Sequence, residues 1–220
     1  MNHAHRLLAL LLPFLLLQAC TMITPPAGGG ALREYSLGRI NEEPLSPPAA
    51  RPLQAVLLVS TAEAPSWFDS QAIYYRLAYV GSENLQPYAS SSWVAPVSEL
   101  LTQRLRAYLA ARGPFASVLS PEDGARADYA LRVSLEDFSQ VFTDTRSSSG
   151  VVRARFTLVD LSNHQVLAQR IFQQEAPAPS PNAQGGAGAL DQASEALIRS
   201  VAAWLVDLAP ELRPAGAVRR

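Results

Sequence analysis

Lysine is missing from this 220-residue chain; all 18 of its Lys/Arg positions are arginine. That absence excludes Schiff-base catalysis, a P-loop lysine and a Ser-Lys dyad. Cysteine occurs once, at Cys20, which excludes an intrachain disulfide and any multi-cysteine metal site. Histidine occurs only at His3, His5 and His164, too few and too scattered for zinc, which needs three or four converging ligands. No strong excess of either charge exists: 19 acidic residues leave a net charge of −1 at pH 7. Nucleic-acid binding relies on a basic patch or stripe, and this balance supplies none, so no nucleic acid is expected as a partner. No apolar run reaches the ~20 residues of a membrane-spanning helix.

What is present begins at the front. Leu7 to Leu17 is almost all leucine, broken by Ala9, Pro13 and Phe14, and it follows Arg6. A short apolar run behind a weakly basic start is a signal-peptide pattern. Leu17-Gln18-Ala19-Cys20 resembles the bacterial lipobox, which is cut before a cysteine that carries a diacylglyceryl group. Residues 1–19 are therefore expected to be a lipoprotein signal peptide, with Cys20 as the lipid anchor. The alternative is an ordinary signal peptide with an incidental cysteine, but a lone cysteine in an exported protein needs a reason. Two or more acyl chains hold firmly, at ~0.8 kcal/mol per buried CH₂. Thr21 stands where an aspartate would resemble the inner-membrane retention signal, so the expected location is the periplasmic face of the outer membrane. Once acylated, Cys20 leaves no thiol for a nucleophile or a metal.

Residues 20–33, with Pro25-Pro26 and Gly28-Gly29-Gly30, read as a flexible tether. A single domain is expected over 34–209, with a frayed tail at 210–220. Tyr35 to Leu37 is a candidate first strand, and 41–52 a proline-rich loop. Leu53 to Ser60 is a continuous apolar run, which predicts a strand covered on both faces. An aromatic and β-branched stretch over 70–80, a turn at Gly81 to Asn84 and "LQPYASSSW" predict a hairpin. Pro96 opens a helix in which Val97, Leu100, Leu101, Leu105, Tyr108 and Leu109 form one stripe, stopped by Gly113-Pro114. "FASVL" at 115–119 is a short strand. Alternation over Tyr129–Leu135, Val152–Leu158 and Val166–Phe172 predicts an antiparallel meander within 128–174. The segment "APAPSPNAQGGAG" reads as a loop, and a final helix is expected from about Leu190 to Leu208. Two long helices with five or more strands predict an α/β sandwich on a mixed sheet.

Few residues along the chain offer catalytic chemistry. His164 falls in a turn, where it is neither oriented nor sheltered as a catalytic triad requires. A hydrolase would need it buried beside a serine and a carboxylate. Glu42-Glu43, Glu122-Asp123 and Glu136-Asp137 are adjacent carboxylates, and neighbours on an extended chain point to opposite sides. Gly185-Gly186-Ala187-Gly188 lacks the preceding apolar strand of a dinucleotide fingerprint and reads as a hinge. No catalytic residue, metal ligand, cofactor or enzymatic activity is expected. What stands out is aromatic: Trp67, Phe68, Tyr74, Tyr75, Tyr79, Tyr88 and Trp93 crowd into 27 residues around Arg76. Two readings stand, hairpin core or protein contact surface, since aromatics and arginine dominate interface hot spots. Trp67, Phe68, Tyr74, Tyr75, Arg76 and Trp93 are the candidate partner interface.

Four segments carry a family resemblance: "PSWFDSQAIYYRLAYV", "LQPYASSSWVAPVSELLTQRL", "ADYALRVSLEDFSQVF" and "RARFTLVDLSNHQVLAQRIF". Their order and spacing, with Tyr75-Arg76 ending one strand and Trp93 before the long helix, resemble the ABC-type transport auxiliary lipoprotein family from about Tyr35 to Trp204. The resemblance implies a three-layer α/β sandwich similar to the N-terminal domain of TolB. It implies a non-catalytic auxiliary subunit of a mammalian-cell-entry (MCE) type ABC system that moves lipid between membranes. An MCE-domain protein is the implied partner, and ring-shaped homo-oligomers are among the implied assemblies. A second reading is an outer-membrane lipoprotein that activates a cell-wall synthase.

Overall fold

The computed structural model describes residues 31–38, 53–66, 68–81 and 84–212. The leader, Cys20, most of the tether, the proline-rich loop, Trp67 and the end of the tail lie outside the described residues.

Alternating side chains build the centre of the sheet. Strands β6 (Tyr129–Phe142), β7 (Ser148–Asp160) and β8 (Gln165–Pro177) form the expected antiparallel meander. Register sets Leu131 opposite Leu158, Val133 opposite Phe156 and Leu135 opposite Ala154, and all six are buried. A one-residue slip would turn this inward set to the other face.

β6 is the spine because it is long enough to take two partners on one edge. β2 (Leu53–Val59) runs parallel to its start, and β3 (Ala72–Leu77) runs parallel to its end. A single bridge at Glu63–Ser134 lies between them. β5 (Phe115–Leu119) flanks β2, β4 (Leu85–Trp93) pairs antiparallel with β3, and β1 (Arg33–Tyr35) pairs parallel with β4. The result is one mixed sheet of eight strands.

The first helix, α1 (Val97–Arg112), buries Val97, Leu100, Leu101, Leu105 and Leu109. It ends where the Gly113 N–H reaches back to the Leu109 carbonyl at 2.7 Å. The second helix, α2 (Ala183–Leu208), is 26 residues long and starts seven residues earlier than the sequence pattern suggests. Asn182 begins it: its side-chain oxygen accepts from the Gly185 N–H at 2.9 Å. The glycines after it are not a hinge. They form the first turns of α2, and one of them, Gly186, lets the helix touch the sheet. A Cβ on Gly186 would lie 2.0 Å from Oε1 of Gln140. Across the contact, a Cβ on Gly150 of β7 would lie 2.5 Å from the backbone nitrogen of Leu190.

Both helices lie on one face. Arg104 of α1 donates to Asp191 of α2 at 2.7 Å and to Glu195 at 3.4 Å. The buried sides of both helices join the inward set of β2, β6 and β7 in one core. On the other side of the meander Arg132, Ser134 and Arg155 are exposed. The described residues make the expected mixed α/β fold, one eight-stranded mixed sheet with two helices. The same geometry corrects β2. Ala55, Leu57 and Val59 are buried, but Val56 and Leu58 are only half-covered, because no helix among the described residues lies over that face.

Candidate functional site

The aromatic residues divide into a buried base and an exposed tip. Trp93 is 1% exposed and meets Phe138 edge-on, with ring centroids 5.6 Å apart. Phe68 is also 1% exposed and stacks on Tyr74 at 5.5 Å. These two are core residues, which corrects their candidacy as partner contacts. β-Strand pairing explains the outcome for Trp93: it ends β4 with its ring turned into the core against Phe138, where a large apolar surface is most stabilising.

Tyr75 and Tyr88 form the next layer, their rings 4.7 Å apart, with Phe142 edge-on to Tyr75 at 5.9 Å. Their hydroxyls are both satisfied. Tyr75 donates to Oε1 of Gln86 at 2.7 Å, and Tyr88 donates to Oε1 of Gln140 at 2.8 Å. Gln140, fully buried, passes the chain on by donating from Nε2 to Oγ of Ser148 at 2.7 Å. Burial, helped by the neighbouring Tyr75, pushes the Tyr88 phenol up to about 12, so it is a neutral donor at physiological pH. The network pins the base of the hairpin to β6 and β7.

Arg76 turns to the other face of the sheet. Its Nη2 meets Asp137 at 2.8 Å and its Nε donates to Oγ of Ser139 at 3.1 Å. Ser139 in turn donates to Asp137 at 2.8 Å. Burial nonetheless raises the Asp137 carboxyl above its ordinary range, outweighing these partners. Adjacent Glu136 behaves oppositely. Arg153 and Arg155 both reach it at 2.8 Å and hold its carboxyl below the usual range. The two carboxylates share one face because the register shifts between Leu135 and Asp137. A bulge inserts one extra residue and cancels the alternation, which corrects the expectation that neighbouring side chains diverge. No alternation rule applied to the sequence locates such a bulge. Each carboxylate is engaged by arginine, an arrangement suited to fixing a surface.

The exposed part of the hairpin is its tip. Tyr79 is 47% exposed and Val80 is 71% exposed, beside the half-buried Tyr74, Tyr75 and Arg76. Tyr79 belonged to the aromatic crowd in the sequence; Val80 carried no signal. The base is tied down by packing and hydrogen bonds, while Tyr79 and Val80 face solvent.

Elsewhere, His164 sits exposed in the β7–β8 turn with φ of 60°. Among the described residues, no group of three His, Cys, Asp or Glu side chains is placed to hold a metal ion. No described helix is long and apolar enough to cross a membrane.

The same fold occurs in solved structures. Protein XCC0632 from Xanthomonas campestris matches with a TM-score of 0.70 at 21% identity, over 81% of this chain and 97% of that one. The hypothetical protein CT253 from Chlamydia trachomatis matches with a TM-score of 0.51 at 7% identity, over 72% of this chain and 99% of that one. At such identities the likeness is one of fold. None of the curated proteins matches the chain. The family model for the ABC-type transport auxiliary lipoprotein component matches residues 35–202, which takes in the whole sheet from Tyr35, the hairpin and both helices as far as Ala202, and the chain belongs to that family.

Proposed function

We propose that this protein is a lipid-anchored, non-catalytic adaptor of an MCE-type ABC transport system. In this reading Cys20 fixes it to the periplasmic face of the outer membrane, and its domain docks the periplasmic end of the transport assembly, where lipid passes between membranes. The observation that carries the reading is membership of the auxiliary lipoprotein family over residues 35–202. The hairpin supports it by offering a docking element: a pinned base and an exposed tip at Tyr79 and Val80. Aromatic groups presented on a rigid support make efficient contacts because little side-chain entropy is lost on binding.

The test is photo-crosslinking in cells from Tyr79 and Val80. Capture of an MCE-domain protein is the expected result. Capture of a cell-wall synthase alone overturns the transport reading, and capture of nothing overturns the docking surface. In parallel, Cys20→Ser is expected to release the protein from the membrane fraction and abolish its transport phenotype. A soluble Cys20→Ser form with full activity refutes the anchor's role.

A further inference from the structure

The first strand is lightly held. β1 is three residues long, with Arg33 and Glu34 exposed and Tyr35 half-buried. Its pairing is confined to Ser91–Trp93 of β4. Just beyond it, Tyr35 accepts at its carbonyl from the Val94 N–H at 2.8 Å, and the Gly38 N–H donates to Oδ1 of Asp191 on α2 at 2.8 Å. Tyr35 and Leu37 lean on the core but are only partly buried. Residues 33–38 thus form a strap along β4, fastened at its end to α2. Few buried apolar contacts and backbone hydrogen bonds close to solvent mark a segment of low local stability.

The surrounding structure does not depend on the strap. β4 is held from its other side: the Trp93 N–H donates to the Gln71 carbonyl at 2.6 Å, and the Trp93 ring is buried against Phe138. The edge left bare would carry Ser90, Ser91 and Ser92 and be interrupted by Pro87, a polar and broken edge that resists pairing with other chains. Asp191 would keep its main partner, because the same Oδ1 already accepts from Nη1 of Arg104 at 2.7 Å. Release therefore leaves no charge buried without a partner, the usual penalty for breaking such a contact.

The place of the strap in the chain gives release a consequence. It directly follows the tether expected from Cys20 to Arg33. Freeing Arg33–Gly38 adds six residues to the chain between anchor and domain, which is about 20 Å of extra reach at ~3.3 Å per residue.

We propose that Arg33–Gly38 is a detachable strap, whose release from β4 and Asp191 lengthens the lipid tether while the rest of the sheet stays folded. The effect on reach rests on the reading of Cys20 as the anchor; the release itself does not, and neither involves the hairpin tip. The test is amide hydrogen exchange on the full chain, made with its leader and extracted in mild detergent. The Gly38 and Val94 amides are expected to exchange roughly 100-fold or more faster than the paired amides of β6 and β7, at rates insensitive to urea below the unfolding transition. Tyr35→Ala is expected to speed those two amides about tenfold while the urea midpoint stays unchanged. A disulfide between Glu34→Cys and Ser92→Cys, which are opposed in register, is expected to slow both amides to the rates of β6 and β7. In vesicles holding acceptor-labelled lipid, with a donor dye on Arg126→Cys at an exposed position, Tyr35→Ala is expected to lower the mean energy transfer. Gly38 and Val94 protected as strongly as β6 and β7, a Tyr35→Ala chain that loses stability throughout, or an unchanged energy transfer overturns the proposal. A chain that exchanges as expected but does not bind the vesicles refutes the anchor reading, and with it the strap's effect on reach.

Discussion

Replacing Gly186 by alanine separates local propensity from tertiary contact. Considered as a helix alone, the change favours folding, because glycine costs about 1 kcal/mol relative to alanine in a helix interior. The structure predicts the opposite sign. The new Cβ would lie 2.0 Å from Oε1 and 2.6 Å from Cδ of Gln140. Gln140 cannot simply rotate away, since it is fully buried and tied to Tyr88 at 2.8 Å and Ser148 at 2.7 Å. Moving it breaks both bonds, each worth about 1 kcal/mol net and more when a buried group is left unsatisfied. A loss of roughly 2–4 kcal/mol from these bonds, less about 1 for propensity, leaves Gly186→Ala destabilised by about 1–3 kcal/mol. The assay is urea unfolding of the full chain followed by the fluorescence of its tryptophans, two of which, Trp93 and Trp204, are buried. The second arm is a double-mutant cycle. With Gln140→Ala the amide is gone and only the Cβ of residue 140 remains, 3.3 Å from the new methyl, so Gly186→Ala should then cost far less than in the unaltered chain. If Gly186→Ala stabilises the unaltered background, or the two changes simply add, the close approach of α2 to β6 is not what placed glycine there.

Trp93→Ala is expected to cost about 3–5 kcal/mol of stability through the cavity it leaves, whereas Tyr79→Ala should stay within about 0.5 kcal/mol and lose only partner capture; comparing unfolding midpoints with crosslink yield separates the two. Removing the cap with Asn182→Ala should cost about 1 kcal/mol, read by the same urea midpoint. The adjacent carboxylates should show pH dependences of opposite sign. Glu136, held low by two arginines, contributes stability that is present above its unfolded range and is lost as pH falls through its folded value, so Glu136→Gln should weaken the protein at pH 7 and cost progressively less as the pH is taken down into the acid range. Asp137, raised by burial, contributes stability that is fully present below its unfolded pKa and is lost as pH rises through its folded value. Asp137→Asn should therefore gain relative to the unaltered chain as pH climbs from acid toward neutral, and thermal melts across that range would show a flat difference if the burial argument is wrong.

Much of the architecture was legible in residue order. The meander followed from strict alternation at Tyr129–Leu135 and Val152–Leu158, because one buried face imposes a period of two. Helix α1 was legible from its stripe and from Pro96 and Gly113 at its ends. The start of α2 was not, because its first turns contain Gly185, Gly186 and Gly188, residues that read as a loop. Gly186 is where α2 meets Gln140 of β6, and Gly150 of β7 makes room for the helix at Leu190, contacts between residues distant in sequence. The aromatic cluster was visible as a composition, but its division was not. Trp93 and Phe68 went to the core while Tyr79 stayed exposed, and that depends on which face of the sheet the helices cover.

Sequence alone was enough to exclude lysine chemistry and cysteine-built sites, to identify the resemblance to the auxiliary lipoprotein family, and to locate nearly every strand along the chain. Those conclusions rest on residue identity and short-range periodicity, which do not change when the chain folds. Tertiary structure decided the rest: both helices on one face, Glu136 and Asp137 on the same side of a bulge, and β8 paired, among the described residues, with β7 alone. Each depends on contacts between residues far apart in the chain, where packing volume and register choose among arrangements that local pattern permits equally.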